Sequence, residues 1–479
     1  MFSAALGQFN SLAQGVCPGT GVGDPSAIVS TNVWESDIRM RPGPRLMASQ
    51  ELLDEIWGGT SPPDVVIDAY FRRRRYAGSG DRRAIKDLVY NILRRRAKLD
   101  WWIARIGIGL SPSARTRLIA DLAMSDRSAP EQIASWFSGA KHFPSALDSL
   151  ECELADALYG RPLIHPDMPR PVAFEYPAWM DRSLSALWGD RLEKEIAGLN
   201  ERAPVDLRVN TLKTSREAAQ TALSEVCIEA HPTPFSPLGL RVDGHPRLGG
   251  TAAFKKGLVE VQDEGSQLLS FLVGAGPGMT VVDYCAGAGG KTLAMAATMG
   301  REGALAGELY ACDISAKRME PLQSRIKRAG AFGVKRQTIA ATDDNWVAEN
   351  AGRVDRVLAD VPCTGTGTWR REVNAKWRYQ PADLDALCED QRSILGAAST
   401  LVKTGGRLVY ATCSLLQEEN EQQVTWFLAN FPNFSALSID QVWRETIGGR
   451  PPPAGPGLRL SPASTGTDGF FCAVLERQN

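Results

Sequence analysis

Two cysteines stand where a nucleophile would be useful: Cys363 in Ala-Asp-Val-Pro-Cys-Thr-Gly-Thr-Gly-Thr (359–368) and Cys413 in Leu-Val-Tyr-Ala-Thr-Cys-Ser (408–414). Each closes a run that reads as a β-strand, and open α/β sheets bind their ligands at the carboxyl ends of strands. A thiolate is one of the few protein nucleophiles able to attack a pyrimidine ring. The competing explanation for any free cysteine is that it is a small buried apolar residue. Cys312 and Cys472, flanked by apolar strand residues, fit that description, and Cys285 also fits it as the last residue before a loop. Cys363 and Cys413 lie instead among Pro, Gly, Thr and Ser, which are turn residues.

Two thiols in such places suit covalent chemistry on a base. Carbon 5 of cytosine is a poor nucleophile, but addition of a thiolate at carbon 6 breaks aromaticity and makes carbon 5 enamine-like, ready to take a methyl from a sulfonium donor. An acid near ring nitrogen 3 stabilises the adduct, and Asp360, three residues before Cys363, is placed for this. A base must then remove the proton from carbon 5 so that the thiolate leaves. The residues alone do not rank the two thiols.

A cofactor loop precedes both. Val-Val-Asp-Tyr-Cys-Ala-Gly-Ala-Gly-Gly-Lys-Thr (281–292) reads as a buried strand, a glycine-rich turn and a helix start. Its central residues, Cys285, Ala286, Gly287, Ala288, Gly289, Gly290 and Lys291, let the backbone approach a ligand while the helix N-terminus offers free N–H groups. The spacing is neither that of a dinucleotide fingerprint nor that of a P-loop, so neither NAD nor ATP is favoured. Asp313 ends the following strand, where an acid accepts bonds from ribose hydroxyls, and Asp343 lies past the third strand, within reach of an adenine amino group. Each acid taken singly has the alternative of capping a helix. With the loop, they outline a nucleoside-type pocket.

These residues need a sheet to hold them. From Gly257 onward strands are expected at Thr280–Tyr284, Leu309–Asp313, Lys335–Ala340, Val354–Asp360, Arg407–Thr412 and Gly469–Leu475. Helices are expected between them at Lys291–Met299, Ala316–Ala329, Ala382–Val402 and Glu418–Phe431, an alternation that predicts a doubly wound α/β sheet over residues 256–479. Residues 40–170 show three- and four-residue apolar spacing and predict an all-α domain. A stretch with Pro162, Pro166, Pro169, Pro171 and Pro177 reads as a linker or turn cluster, and residues 171–255 as a small α/β subdomain. Residues 1–39, Gly/Ser/Thr-rich and weakly periodic, read as a disordered extension or a start-site artefact ahead of Met40.

Composition narrows the class. In 479 residues, 43% hydrophobic and 23% charged, no apolar run is long enough for a membrane span and no signal-peptide pattern opens the chain. Nine cysteines, scattered and odd in number, fit a reducing cytoplasm better than a disulfide framework. With four histidines, none spaced with Cys as a zinc site requires, no metal is expected. The net charge of −1 hides Arg72–Arg75, Arg82–Arg83 and Arg94–Arg96, which read either as solvated helix faces or as a phosphate-contact surface.

Taken together, Val261–Gln267, Cys285–Lys291, Asp360–Thr368, Lys376-Trp377-Arg378, Thr412-Cys413-Ser414 and Asp468–Phe471 give a chain that resembles the Sun-type RNA 5-methylcytosine methyltransferases, related to the bacterial small-subunit (16S) rRNA enzymes. The resemblance spans residues 205–479. It implies a Rossmann-like methyltransferase domain and an S-adenosyl-L-methionine cofactor held by residues 285–291, Asp313, Arg318, Asp343 and Asp360. It further implies Cys413 as nucleophile, Cys363 as the residue assisting release, and a monomeric cytoplasmic enzyme acting on RNA. In DNA 5-methylcytosine enzymes the nucleophile is the cysteine of the Pro-Cys dipeptide, here Cys363; the Thr-Cys-Ser segment favours RNA. The chain departs from the family at Gly287-Ala288, where Ala-Pro is usual, and at Glu372-Val373-Asn374, where Asn-Pro-Asp is frequent. The helical unit is similar in placement to the NusB-like RNA-binding domain of some members, which strengthens the phosphate-contact reading of its arginines. The readings set against methylation of RNA are a non-catalytic RNA-binding or assembly factor and a DNA cytosine methyltransferase.

Overall fold

A computed structural model describes residues 40–74, 77–340 and 344–479. The expected extension 1–39, Arg75 of the arginine cluster and Asp343 of the cofactor pocket lie outside the described residues.

The first part is helical. Helices Pro42–Gly58, Pro63–Arg73, Ser79–Arg94, Arg96–Ile106, Ala114–Met124, Pro130–Trp136 and Ser149–Leu158 pack around Leu46, Leu52, Ile67, Ile85, Leu93, Trp102, Leu118, Leu122 and Leu154. Two of them start at capping boxes, Ser113 with Thr116 and Asp148 with Glu151, which satisfy the orphan N–H groups of the first turn. The helix Arg96–Ile106 has no cap of its own. Glu175 supplies one from outside, its carboxylate accepting from the Ala97 and Lys98 N–H groups at 2.9 Å each.

The Pro-rich stretch is more than a linker. It contains a helical turn at Arg170–Ala173, and Tyr176 begins an apolar cluster with Met180, Leu184, Trp188, Leu192, Ile196 and Leu199. The same cluster includes Trp369, Leu384, Cys388, Leu415 and Leu416 from the last third of the chain. Proline stopped long helices here, but the bulky residues in and after this stretch still had to be buried, and they pack against the last third of the chain.

Beyond it lies a small sheet of β1 (Val205–Val209), β2 (Ala230–Pro232), β3 (Gly239–Val242) and β4 (Val259–Val261), in the order β2-β3-β1-β4. The fourth strand lies past the expected boundary at 255: Leu207 pairs with Val261 and Val209 with Val259. Three residues are too few for the alternation of a strand to be read from sequence, so this pairing emerges only in three dimensions.

The catalytic sheet is built on β5 (Thr280–Asp283), followed by a hairpin of β6 (Gly300–Arg301) and β7 (Ala304–Leu305), then β8 (Glu308–Asp313), β9 (Lys335–Thr338), β10 (Val354–Asp360), β11 (Val402–Thr412), β12 (Phe434–Ala436), β13 (Leu458–Leu460) and β14 (Phe470–Arg477). Its order is β12-β14-β11-β10-β5-β8-β9, with β13 beside β14. The strands from β9 to β11 run parallel, as the strand–helix alternation predicts, with helices Gly290–Thr298, Ala316–Ala329 and Pro381–Leu401 in the connections. The closing strands depart from it: β14 is antiparallel to β11, and β12 and β13 are antiparallel to β14. The strand order reverses between β5 and β10, the switch point at which such sheets open a ligand crevice. Among the described residues no helix is long and apolar enough to cross a membrane.

Candidate active site

Four strand ends line the crevice: Asp313 on β8, Asp283 on β5, Asp360 on β10 and, just past β11, Cys413. Val281 and Val282 are fully buried, so β5 is rigid up to the loop that follows it.

That loop turns through two glycines with left-handed backbone, Gly287 (φ 51°) and Gly289 (φ 77°). At Gly287 a Cβ would meet only the Arg318 guanidinium, 3.6 Å away, so the backbone there is open for a ligand. At Gly289 a Cβ would lie 2.2 Å from Leu322, so helix and loop pack without room for a side chain. The Ala286 N–H donates to the Cys312 carbonyl at 2.8 Å and the Gly287 N–H to Asp313 Oδ2 at 2.9 Å. Arg325 donates to the Ala288 carbonyl (2.7 Å), and buried Arg208, on β1, donates to the Gly290 carbonyl (3.0 Å). The small subdomain therefore holds the glycine loop from behind. Burial pushes the Arg208 guanidinium down to about 10. The thiol of Cys285 is pushed well up by burial and by the surrounding carboxylates, which keeps it un-ionised.

The acids differ in their surroundings. Asp313 holds the Ser315 N–H at 2.9 Å as well as Gly287, with the half-exposed Arg318 guanidinium 3.6 Å off. Asp283 accepts the Thr292 hydroxyl at 2.6 Å through Oδ2, while its Oδ1 is buried with no partner. Burial pushes its carboxyl up to about 7, against the pull of the Thr292 bond. Asp360 Oδ2 is 2.6 Å from Lys291 Nζ. Burial alone would depress that ammonium; Asp360, with Cys413 and Asp283 farther off, outweighs burial and raises it. An open glycine cradle, an orphaned buried carboxylate oxygen and a strand-end acid free to accept further bonds fit a nucleoside cofactor with a charged amino-acid tail.

The two cysteines come together: Cys363 Sγ and Cys413 Sγ are 3.4 Å apart, on the loops that leave the adjacent parallel strands β10 and β11. The Gly367 N–H donates to the Cys413 carbonyl at 2.9 Å, and the Gly469 N–H to the Gly367 carbonyl at 2.8 Å. Both cysteines are half-buried. The Cys363 thiol is pushed well above its usual range, first by its hydrogen bond to Cys413 and then by burial. Cys312 and Cys472 are fully buried in the sheet core. Glu419, Gln391 and Asn420 were not among the expected site residues, yet they brace the two cysteine loops. The Gln-Glu-Glu-Asn run (417–420), a polar cluster beginning four residues beyond a strand-end cysteine, is the one sequence signal available there.

The profile of the family described as 16S rRNA methyltransferase RsmB/F matches residues 272–476, and that of the RsmF/B-like ferredoxin-like domain matches 176–248. A ribosomal RNA small subunit methyltransferase B of Klebsiella pneumoniae (strain 342) is 31% identical over 305 residues, covering 64% of this chain and 67% of that protein. The chain belongs to the RsmB/F family. The cofactor of that family is S-adenosyl-L-methionine. The probable ribosomal RNA small subunit methyltransferase B of a Synechocystis strain is 29% identical over 444 residues, 89% of this chain and 98% of that one. The crystal structure of PH0851 superposes with a TM-score of 0.74 at 27% identity, over 91% of this chain and 99% of that one. These matches include the helical part and the small sheet as well as the catalytic sheet.

The RsmB/F departures have structural consequences. Val373, in the segment that replaces the frequent Asn-Pro-Asp, is buried in the core of the N-terminal helical unit. Nearby Lys376, fully buried, donates to the Glu175 carbonyl (2.9 Å) and to Asn200 Oδ1 (2.6 Å), so the Lys-Trp-Arg motif joins the helical unit to the catalytic sheet. Of the arginine clusters, Arg73 pairs with Glu55 (3.2 Å), Arg74 with Glu51 (3.0 Å) and Arg95 with Asp121 (2.7 Å), while Arg96 lies over the rings of Trp57 and Trp377. Arg73 is exposed and Arg74 half-buried at the surface, whereas Arg96 reaches from the helical unit to Trp377 of the Lys-Trp-Arg motif.

Proposed function

We propose that the protein transfers a methyl group to carbon 5 of a cytosine in 16S rRNA through a covalent Cys413–cytosine adduct, with Cys363 assisting release, in the cytoplasm. The single observation that carries the reading is the 3.4 Å approach of the two sulfur atoms beside the cofactor loop. S-adenosyl-L-methionine supplies an electrophilic methyl on sulfonium; residues 285–291, Asp313, Arg318 and Asp360 would hold it, with Asp283 beneath the loop.

Cys413 Sγ adds as thiolate to carbon 6, and the ring electrons move to carbon 5, which would take the methyl as its bond to the sulfonium sulfur breaks, the electron pair staying on that sulfur as a neutral thioether. Cys363 Sγ, 3.4 Å from that sulfur, stands within reach of the adduct. Lys291, ion-paired with Asp360, supplies through that carboxyl group the proton that ring nitrogen 3 takes up as the adduct forms. Once Cys413 is bonded to carbon it no longer bonds the Cys363 thiol, and Cys363 gives its own proton to solvent to become the base of the second half. It then takes the proton from carbon 5; the carbon–hydrogen electrons restore the ring double bond, and the carbon–sulfur bond breaks to return the Cys413 thiolate.

Labelled cofactor and rRNA test the reading. Label is expected on cytosine carbon 5 with the native chain and none with Cys413→Ala, whereas Cys363→Ala should leave a protein–RNA adduct that survives denaturing gels. Activity retained by Cys413→Ala overturns the nucleophile. Labelling of duplex DNA in preference to rRNA would favour the DNA reading, and absence of any transfer the assembly-factor reading.

A further inference from the structure

A buried carboxylate that the reaction does not consume stands between the two thiol loops. Glu419 is fully buried in the turn Gln417–Glu419 that follows the Cys413 strand. Its Oε1 accepts from the Thr364 N–H at 2.8 Å and from Gln391 Nε2 at 3.1 Å. Its Oε2 accepts from the Thr364 hydroxyl at 2.5 Å and from the Ser414 hydroxyl. Thr364 adjoins Cys363 and Ser414 adjoins Cys413. Gln391 Nε2 also donates to the Pro362 carbonyl at 3.0 Å, so Cys363 is gripped from both sides. Tyr410, on β11, donates its hydroxyl to the Glu419 carbonyl at 2.5 Å, which fixes the turn to the sheet.

Burying a carboxylate without a cation costs several kcal/mol, and a neutral core would fill the space at lower cost. Glu419 has no cationic partner among the described ion pairs; its oxygens take four donors instead, which come from three chain segments, at Thr364, Gln391 and Ser414. One rigid group bonded to both loops sets the distance between what those loops carry.

We propose that Glu419 is a positioning residue that fixes the spacing and the division of labour of the two thiols, by tying the loop of Cys363 and the loop of Cys413 to one point. The proposal rests on the assignment of attack to Cys413 and release to Cys363. The Thr364 hydroxyl and N–H hold the Cys363 side and the Ser414 hydroxyl the Cys413 side; the two hydroxyls also lie 3.2 Å from each other, and Ser414 lies 3.2 Å from the Thr366 hydroxyl, so each tether acts first on its own thiol without being isolated from the other. Burial raises the Glu419 carboxyl, and its charge adds to the causes holding the Cys363 thiol up, after the Cys413 bond and burial.

The test compares Glu419→Gln, Thr364→Val and Ser414→Ala in the full chain, with rRNA and S-adenosyl-L-methionine, in single-turnover and steady-state assays. Thr364→Val should slow release, with kcat down about tenfold, KM for RNA within about twofold and adduct visible on denaturing gels. Ser414→Ala should slow adduct formation about tenfold with no accumulation. Glu419→Gln should impair both steps. The two single-hydroxyl variants keep the test open if Glu419→Gln fails to fold. If folded Thr364→Val and Ser414→Ala alter attack and release equally, or neither, the proposal falls while the adduct formed by Cys363→Ala leaves the underlying assignment standing. If Cys363→Ala itself forms no adduct, the assignment falls and the proposal with it.

Discussion

Lys291 Nζ and Asp360 Oδ2 lie 2.6 Å apart, so the glycine loop after β5 and the strand end that leads into Cys363 are joined by one ion pair. Both partners are largely out of water, Lys291 at 13% and Asp360 at 28% side-chain exposure. Removing one partner of such a pair strands the other charge. Lys291→Met is therefore expected to lower unfolding free energy by about 3 kcal/mol, as is Asp360→Asn. The double variant should be more stable than Lys291→Met alone, as measured by urea denaturation. Both singles should lose most methyl transfer.

Asp283 predicts a pH effect with a definite sign. Its folded value of about 7 lies above the unfolded carboxylate value, so between the two the folded protein keeps a proton that the unfolded chain has lost. Its contribution to stability therefore falls as pH rises through that window, by up to about 1.4 kcal/mol per pH unit, and is level above it. Asp283→Asn has no such dependence. Melting curves at pH 5 and pH 8 should show the Asn variant gaining on the native protein at the higher pH; a constant difference would disprove the assignment.

The two loop glycines should respond differently to alanine. Gly287→Ala strains the backbone by about 1 kcal/mol but meets open space, so Tm should fall little while cofactor affinity drops, because the new methyl occupies the cradle. Gly289→Ala adds a collision with Leu322 to the same strain and should lower Tm by several degrees more. Thermal melts and equilibrium binding of S-adenosyl-L-methionine separate the two.

Glu175 caps the helix Arg96–Ile106 from a distance in sequence of nearly 80 residues, and its carbonyl takes the buried Lys376. Burial pushes Lys376 down to about 8 and the Glu175 carboxyl up. Glu175→Ala should cost at least the 1–2 kcal/mol or so of a lost cap. Limited proteolysis should then cut near the start of that helix in the variant and not in the native chain.

How far the sequence reached depended on the range of the interaction. Val354–Asp360 and Ala316–Ala329 were expected with the bounds they have, because a short apolar core (Val357-Leu358-Ala359) ending at an acid and one Ser-capped periodic segment carry their own signals. The loop carrying Gly287 and the thiols of Cys363 and Cys413 announced themselves through turn residues at strand ends. The Lys291–Asp360 pair and the Glu419 clamp depend on which strands are neighbours, and no local pattern encodes neighbourhood. The direction of β14 was hidden for the same reason: the apolar run of Phe470–Leu475 reads identically whether it runs with or against β11. The Pro-rich stretch misled because proline reports where a helix stops, whereas Tyr176 and Met180 decide what becomes buried.

The strand Val259–Val261 has a practical consequence. It completes the small sheet, yet the very next residues bind the catalytic half: Asp263 takes Arg370 (3.3 Å) and Arg371 (2.9 Å), and Arg208 on the neighbouring strand supports the loop at Gly290. A cut at residue 255 would break a sheet in two and leave an unpaired edge on β1, with the glycine loop unsupported. The smallest excisable transferase begins ahead of Val205, and the segment that would be discarded as an accessory module is a structural wall of the enzyme.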